Sequence, residues 1–231
     1  MQSSPQKTRI PDRKGKVAAG AYEILRQKIM QNQLPGNSYV LEEEIARDLE
    51  ISRTPVREAL TRLEAEGLIQ AVPRHGYKVV PITMVDIAEI YQVLSPLETV
   101  AAELLATKPD NSHEVAILDE AVNEMRMALE RDDLDGWAAA DERFHTCLVE
   151  LCGNNRLAKA AKMLFAQSHR VRIFTLRLRD KPIGSVEKHA ALVDAIRKRS
   201  PDLAREVHNA QRDAWTSSMT NLFSKLGVHQ V

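Results

Sequence analysis

Residues 52–69, Ser-Arg-Thr-Pro-Val-Arg-Glu-Ala-Leu-Thr-Arg-Leu-Glu-Ala-Glu-Gly-Leu-Ile, decide how the rest of the chain is read. Thr54 is suited to cap a helix. Pro55 suits the first helical position, where a missing N–H costs nothing and φ is already helical. Val56, Ala59, Leu60, Leu63 and Leu68 then recur as a buried stripe at helical spacing, which leaves Arg53, Arg57 and Arg62 to solvent or to phosphate. Gly67 closes the helix.

Upstream, Val40, Leu41, Ile45, Ala46 and Leu49 describe a shorter amphipathic helix, joined to the first by the tight link Glu50-Ile51-Ser52. Two short helices joined in this way form a helix-turn-helix. In that motif the second helix enters the major groove N-terminus first, so Ser52, Arg53, Thr54 and Arg57 stand where bases and phosphates would be touched. The triplet Glu42-Glu43-Glu44 reads as a solvated helix start favoured by the helix dipole. Downstream, residues 68–72 and 76–80 are short β-branched runs around Pro73-Arg74-His75, which predicts a hairpin with a basic tip. Such a hairpin is a wing, and Arg74, His75 and Gly76 would reach the backbone or the minor groove. A surface helix with three arginines can be merely solvated. The ordered set of short helix, capped helix and basic-tipped hairpin argues for DNA.

Composition fits that reading without suggesting it. With 231 residues and 44% hydrophobic content, the chain is long enough for two domains. Net charge is zero but unevenly spread: residues 1–82 hold 13 basic and 10 acidic side chains, whereas residues 83–231 hold 19 and 22. The basic excess lies on the expected DNA-binding domain. Cys147 and Cys152 lack C-x-x-C spacing and give no disulfide framework, which suits a reducing cytoplasm. No apolar run approaches the length of a membrane span, and nothing resembles a signal peptide. The expected organisation is a disordered arm at 1–14, a winged helix-turn-helix at 15–82 and an all-helical domain at 83–231.

Beyond Pro81 the helical period takes over. Helices are predicted at 84–107, 112–131, 133–152, 155–179, 186–199 and 201–226, with Pro96 kinking the first. Short connections favour an antiparallel bundle. Three of these helices carry polar side chains on their inward stripes: Asp141 and His145 four residues apart, His189 beside Leu192, Val193 and Ile196, and His208 with Gln211 along Ala204, Val207, Ala214 and Trp215. Inward polar groups need partners. One solution is a divalent metal held by carboxylate oxygen and imidazole nitrogen. The other is a plain buried Asp–His hydrogen bond, with His189 satisfied separately.

On these residues the chain is identified as resembling a known family. The segment from Leu34-Pro35-Gly36 to Gly76-Tyr77 resembles the winged helix-turn-helix of GntR-type bacterial transcription regulators, with Ser-Arg-Thr-Pro-Val-Arg-Glu-Ala-Leu at 52–60 matching their recognition-helix signature. Residues 84–226 resemble the FCD effector-binding domain of the FadR branch, on Asp141-x-x-x-His145, Gly153-Asn154 and Glu187-Lys188-His189. The resemblance implies a homodimer on a short inverted repeat, contacting DNA through positions 52, 53, 54, 57, 75 and 76. It also implies a metal (zinc, nickel or manganese) on Asp141, His145, His189 and a second late histidine, where this chain has Gln211. His208 lies one turn away. Two further departures are Glu43, at a position where a fatty-acid-responsive member has a DNA-contacting arginine, and Leu94, where the family often has an arginine. Without that arginine the pocket either takes a less acidic effector or uses Arg170 or Arg172 as its cation, and an organic acid is one candidate class of small-molecule effector.

The function expected is a ligand-responsive regulator, a repressor released from its operator by a small molecule bound in the helical domain. The alternative is a metal-dependent enzyme using the Asp/His cluster to activate water. It lacks a separate general base and gives the N-terminal domain no role.

Overall fold

The computed structural model describes residues 14–176, 178 and 181–226, and it divides at Ile82/Thr83 into two compact units. The arm expected over 1–14 lies outside the described residues except for Lys14, which opens the first helix.

The N-terminal unit begins with α1 (Lys14–Met30). No element is assigned from sequence to this stretch, yet Val17, Ala21, Leu25 and Ile29 recur every fourth residue and all are buried. This face packs on α3 (Arg53–Ala65), whose Val56, Ala59, Leu60 and Leu63 are buried in turn. Tyr22 clamps the pair: its hydroxyl donates to the Glu66 carboxylate at 2.8 Å, and the Arg62 guanidinium lies 3.6 Å from its ring centroid.

The start of α3 differs from expectation. Ser52, not Thr54, is the N-cap residue, with an extended backbone and no side-chain cap bond. Pro55 is therefore the third helical residue, still within the first turn, where no intrahelical acceptor awaits an N–H. The C-terminus closes as a Schellman turn. Gly67 has φ 69°, its N–H donates to the Glu64 carbonyl at 2.9 Å, and the Leu68 N–H donates to the Leu63 carbonyl at 3.0 Å.

The helix before α3 is shorter than expected. α2 runs Glu42–Asp48, and Val40 belongs instead to β1 (Tyr39–Val40). β1 joins β2 (Ile69–Val72) and β3 (Gly76–Val79) in a three-stranded antiparallel sheet of order β1-β3-β2, with Val40 opposite Tyr77. Val40 is buried in either assignment, so its place on an apolar stripe did not separate helix from strand. At the hairpin, Arg74 and Gly76 both have positive φ, at 65° and 77°. A Cβ on Gly76 would lie 2.6 Å from the Val40 carbonyl oxygen, so this position needs glycine twice over.

The C-terminal unit is a helical bundle: α4 (Met84–Thr107), α5 (Ser112–Glu130), α6 (Leu134–Glu150), α7 (Asn155–Leu176), α8 (Ile183–Arg197) and α9 (Pro201–Leu226). α4 opens with a capping box in which Thr83 and Asp86 satisfy each other's backbone N–H groups. α6 starts one residue late because Asp133 serves as N-cap to the Gly136 N–H at 2.8 Å. α8 starts a turn early, at Ile183 directly after Pro182. Buried Asn111 donates to the carbonyls of Leu105 and Ile196, tying α4 to α8. Packing places α4, α6, α7, α8 and α9 around a shared centre, where Leu94, Ala101, Phe144, Leu148, Val193 and Ala204 are fully buried. No helix among the described residues is long and apolar enough to cross a membrane.

Candidate nucleic-acid interface and candidate metal centre

In the N-terminal unit, Ser52, Arg53, Thr54 and Arg57 are exposed at the start of α3, and Arg74 and His75 are exposed at the hairpin tip. Gly76 is half-buried behind them. The arginines are not bare. Arg57 donates through Nε and Nη2 to the two carboxylate oxygens of Glu42, at 3.0 and 2.9 Å. Arg53 Nη1 donates to Glu43 Oε1 at 2.8 Å, and its Nη2 lies 3.4 Å from Glu42 Oε2. The bonds from Arg57 hold the Glu42 carboxyl below its ordinary range. Glu42 is thus a partner of the recognition helix, with its side chain 15% exposed, rather than a freely solvated helix start. That role was readable as charge complementarity between α2 and α3, but only their crossing brings residues 42 and 57 together.

In the C-terminal unit, Asp141 and His145 from α6 meet His189 from α8, all three buried. His189 Nε2 lies 3.3 Å from His145 Nε2 and 3.5 Å from Asp141 Oδ1, and His145 Nε2 lies 3.8 Å from Asp141 Oδ1. Ligands about 2.0–2.1 Å from a tetrahedral zinc are separated by roughly 3.3–3.4 Å, so this triangle has the dimensions of one face of such a site.

The groups behind the triangle suit the same use. His189 Nδ1 donates to the Ser185 carbonyl at 2.6 Å, which turns its Nε2 lone pair inward. His145 Nδ1 stands 2.8 Å from Glu98 Oε1 and 2.9 Å from Arg212 Nη2, between an acceptor and a donor. A proton on Nδ1 faces Glu98 and frees Nε2; a proton on Nε2 leaves Nδ1 to accept from Arg212. Burial pushes the His145 pKa down to about 3 against the pull of Glu98, and burial likewise lowers His189. Burial alone would raise the Asp141 pKa, but the Arg172 charge, with both imidazoles, holds it at about 2. Neutral imidazoles beside an ionised carboxylate are the forms that ligate a metal.

Arg172 and Gln211 reach the same centre. Arg172 Nε is 3.2 Å from Asp141 Oδ2, yet none of its three guanidinium nitrogens has an aligned hydrogen-bond partner among the described residues. Gln211 Nε2 lies 3.2 Å from His189 Nε2. Both line a cavity of about 290 Å³, together with His145, His189, Lys188 and Trp215. Arg170 is buried, with its pKa lowered to about 10 by burial, but it does not line this cavity. His208 does not join the triangle: its Nδ1 is 2.9 Å from Thr99 Oγ1 and its Nε2 faces Glu98 at 3.6 Å.

Sequence reasoning missed Glu98 and Arg212. Glu98 is fully buried and paired with Arg212; burial alone would raise its pKa, but the Arg212 charge together with His145 and His208 keeps the carboxyl well below its usual range. Both were detectable: Glu98 interrupts the α4 stripe of Leu94, Ala102 and Leu105, and Arg212 falls one turn after His208.

A winged helix-turn-helix followed by a helical bundle with a cavity lined by a buried Asp/His cluster defines a DNA-binding regulator of the ligand-sensing kind. Residues 17–79 match the gntR family of bacterial regulatory proteins, and residues 89–211 match the FCD domain. The chain belongs to the GntR family of transcription regulators, in its FCD-containing branch, and this is not a family of enzymes. A relative in Agrobacterium vitis, the "Uncharacterized HTH-type transcriptional regulator in the TAR-I ttuE-ttuC' intergenic region", is 47% identical over 137 residues, 58% of this chain and 80% of that protein. The "Probable D-xylose utilization operon transcriptional repressor" of Paenarthrobacter nicotinovorans is 32% identical over 190 residues, 81% of this chain and 82% of that one. Among solved structures, E. coli McbR/YncC shares the fold with a TM-score of 0.74 at 18% identity, over 91% of this chain and 98% of that one.

Proposed function

We propose that the protein is a repressor that binds a short inverted-repeat operator as a homodimer, and that an organic acid bound at the buried centre releases it. Ser52, Arg53, Thr54 and Arg57 would read the major groove, and Arg74, His75 and Gly76 would hold the flanking backbone or minor groove. Repression is supported by relatives that carry that name, including the E. coli repressor RspR, 28% identical over 181 residues. Dimerisation through the helical domain is supported by Val85, Val93 and Val100, which α4 leaves exposed. A regulator of this kind acts on chromosomal DNA and therefore works in the cytoplasm.

The single observation that carries the effector reading is the Asp141–His145–His189 triangle beside Arg172. Asp141, His145 and His189 would hold a divalent ion, which supplies a Lewis-acidic anchor for an oxygen ligand. Arg172, buried with unused N–H groups, would hold a carboxylate by paired hydrogen bonds. Charge supports an anion as well. Asp141 and Glu98 already balance Arg172 and Arg212, so a divalent ion leaves the centre with excess positive charge that an acid would neutralise. Binding of the acid would release DNA only through a preference for the conformation that binds DNA poorly.

A thermal-shift screen of short mono- and dicarboxylates, each with and without zinc, nickel or manganese, tests this reading. The expected hit needs both ion and acid and weakens operator binding in a gel shift. Neutral sugars that shift the melt while acids do not would overturn it.

A further inference from the structure

We propose that the Gln211 carboxamide turns over when a divalent ion enters the centre, so that Oε1 becomes a fourth and uncharged ligand. This rests on the metal reading above and adds to it the role of the residue by which this chain departs from a four-ligand Asp/His set.

The tautomer of His189 sets the geometry. The Ser185 carbonyl can only accept, so at 2.6 Å it fixes the ring proton on Nδ1 and leaves the lone pair on Nε2. Gln211 Nε2 is 3.2 Å from that nitrogen, and its N–H donates to the lone pair. The other end of the same amide, Oε1, is buried without a hydrogen-bond partner among the described residues. A buried acceptor left unused is uncommon and costly. An ion on His189 Nε2 takes the lone pair to which the amide donates, and it sets positive charge against an N–H. Rotation about the last side-chain bond exchanges oxygen and nitrogen in nearly the same volume. The rotation brings the unused oxygen to the ion and moves the N–H away.

The consequence is selectivity. Imidazole nitrogen suits zinc and nickel, whereas carbonyl and carboxylate oxygen suit manganese. Two imidazoles, one carboxylate and one amide oxygen form a harder donor set than three imidazoles and one carboxylate. This chain should therefore discriminate less in favour of zinc over manganese than its Gln211→His variant does.

Full-length protein stripped with a chelator is titrated calorimetrically with Mn²⁺, Zn²⁺ and Co²⁺. Q211L should lose about tenfold or more in Mn²⁺ affinity, Q211E should keep it, and Q211H should move the Zn²⁺/Mn²⁺ ratio by about tenfold toward zinc, on the scale seen when groups around a metal are altered. The visible spectrum of bound Co²⁺ should change in Q211H and Q211L as the donor atom changes. Q211E and Q211H keep the test decisive if Q211L fails to fold. Q211L binding Mn²⁺ like the native chain with an unaltered Co²⁺ spectrum overturns the proposal and leaves the three-ligand site standing. Native protein that binds none of the three ions overturns both.

Discussion

Glu42 holds Arg57 by two hydrogen bonds, at 3.0 and 2.9 Å, from the helix that precedes the recognition helix. An acidic side chain on a DNA-facing surface would ordinarily repel phosphate. Here it engages Nε and one terminal nitrogen of the guanidinium and leaves Nη1 for a base or phosphate. Glu42→Gln should therefore lower affinity for the specific operator several-fold while nonspecific DNA is bound more tightly. Fluorescence anisotropy with operator and scrambled duplexes checks this, and equal tightening on both would mean that Glu42 acts only as an electrostatic brake.

Arg57→Ala should abolish operator binding in a gel shift and leave the melting temperature and oligomeric state unchanged, because the side chain is exposed. In a homodimer the substitution removes two phosphate-binding cations, one from each protomer, so the slope of log affinity against log salt for the residual binding falls by about 2. A variant with native affinity would remove the start of α3 from the interface.

Gly76→Ala should unsettle the wing. The position combines φ 77° with a 2.6 Å clash between any Cβ and the Val40 carbonyl oxygen. A side chain at positive φ alone costs on the order of 1 kcal/mol or more. Lower stability of the N-terminal unit with unchanged ion binding in the helical unit is the expected pattern, followed by proteolysis of each unit.

Stability should fall in mild acid. Burial lowers the His145 pKa from 6.5 to about 3, so below pH 6.5 the unfolded chain binds a proton that the folded chain refuses. This one group costs about 1.4 kcal/mol per pH unit between pH 6.5 and its folded value. His189 and His208, lowered in the same direction by burial, steepen the loss. Asp141 adds to it lower down: its depressed pKa contributes stability that is full above about pH 4 and fades toward pH 2. Urea melts at pH 7.5, 6.5 and 5.5 should show a decline only across the second interval.

Asp141→Ala should destabilise the helical unit by roughly 3–5 kcal/mol, because it strands Arg172 in the interior. Asp141→Ala combined with Arg172→Met should recover much of that loss without restoring ion binding. If the double variant is no more stable than the single one, the pair is not the source of the effect.

How much of this was legible in the chain depends on how local each signal is. The recognition helix, the hairpin and the helices of the second unit follow from periodicity and from glycine and proline positions, and their bounds differ from expectation by a residue or a turn at several ends. Val40 and α1 were harder. A two-residue strand has no period of its own, and α1 closes on Asn32 at φ 56° rather than on a glycine.

Inward polarity at Asp141, His145, His189, His208 and Gln211 was likewise visible as breaks in apolar stripes. What a stripe does not carry is azimuth relative to another helix. Only packing could set His208 against Thr99, away from the triangle, and bring Glu98 of α4 and Arg212 of α9 behind His145. Periodicity along one helix determined which side chains turn inward, because 3.6 residues per turn is a property of the backbone alone. Which inward groups meet was decided by the tertiary structure, since atoms from α4, α6, α7, α8 and α9 come within bonding distance only when all five helices close on one core.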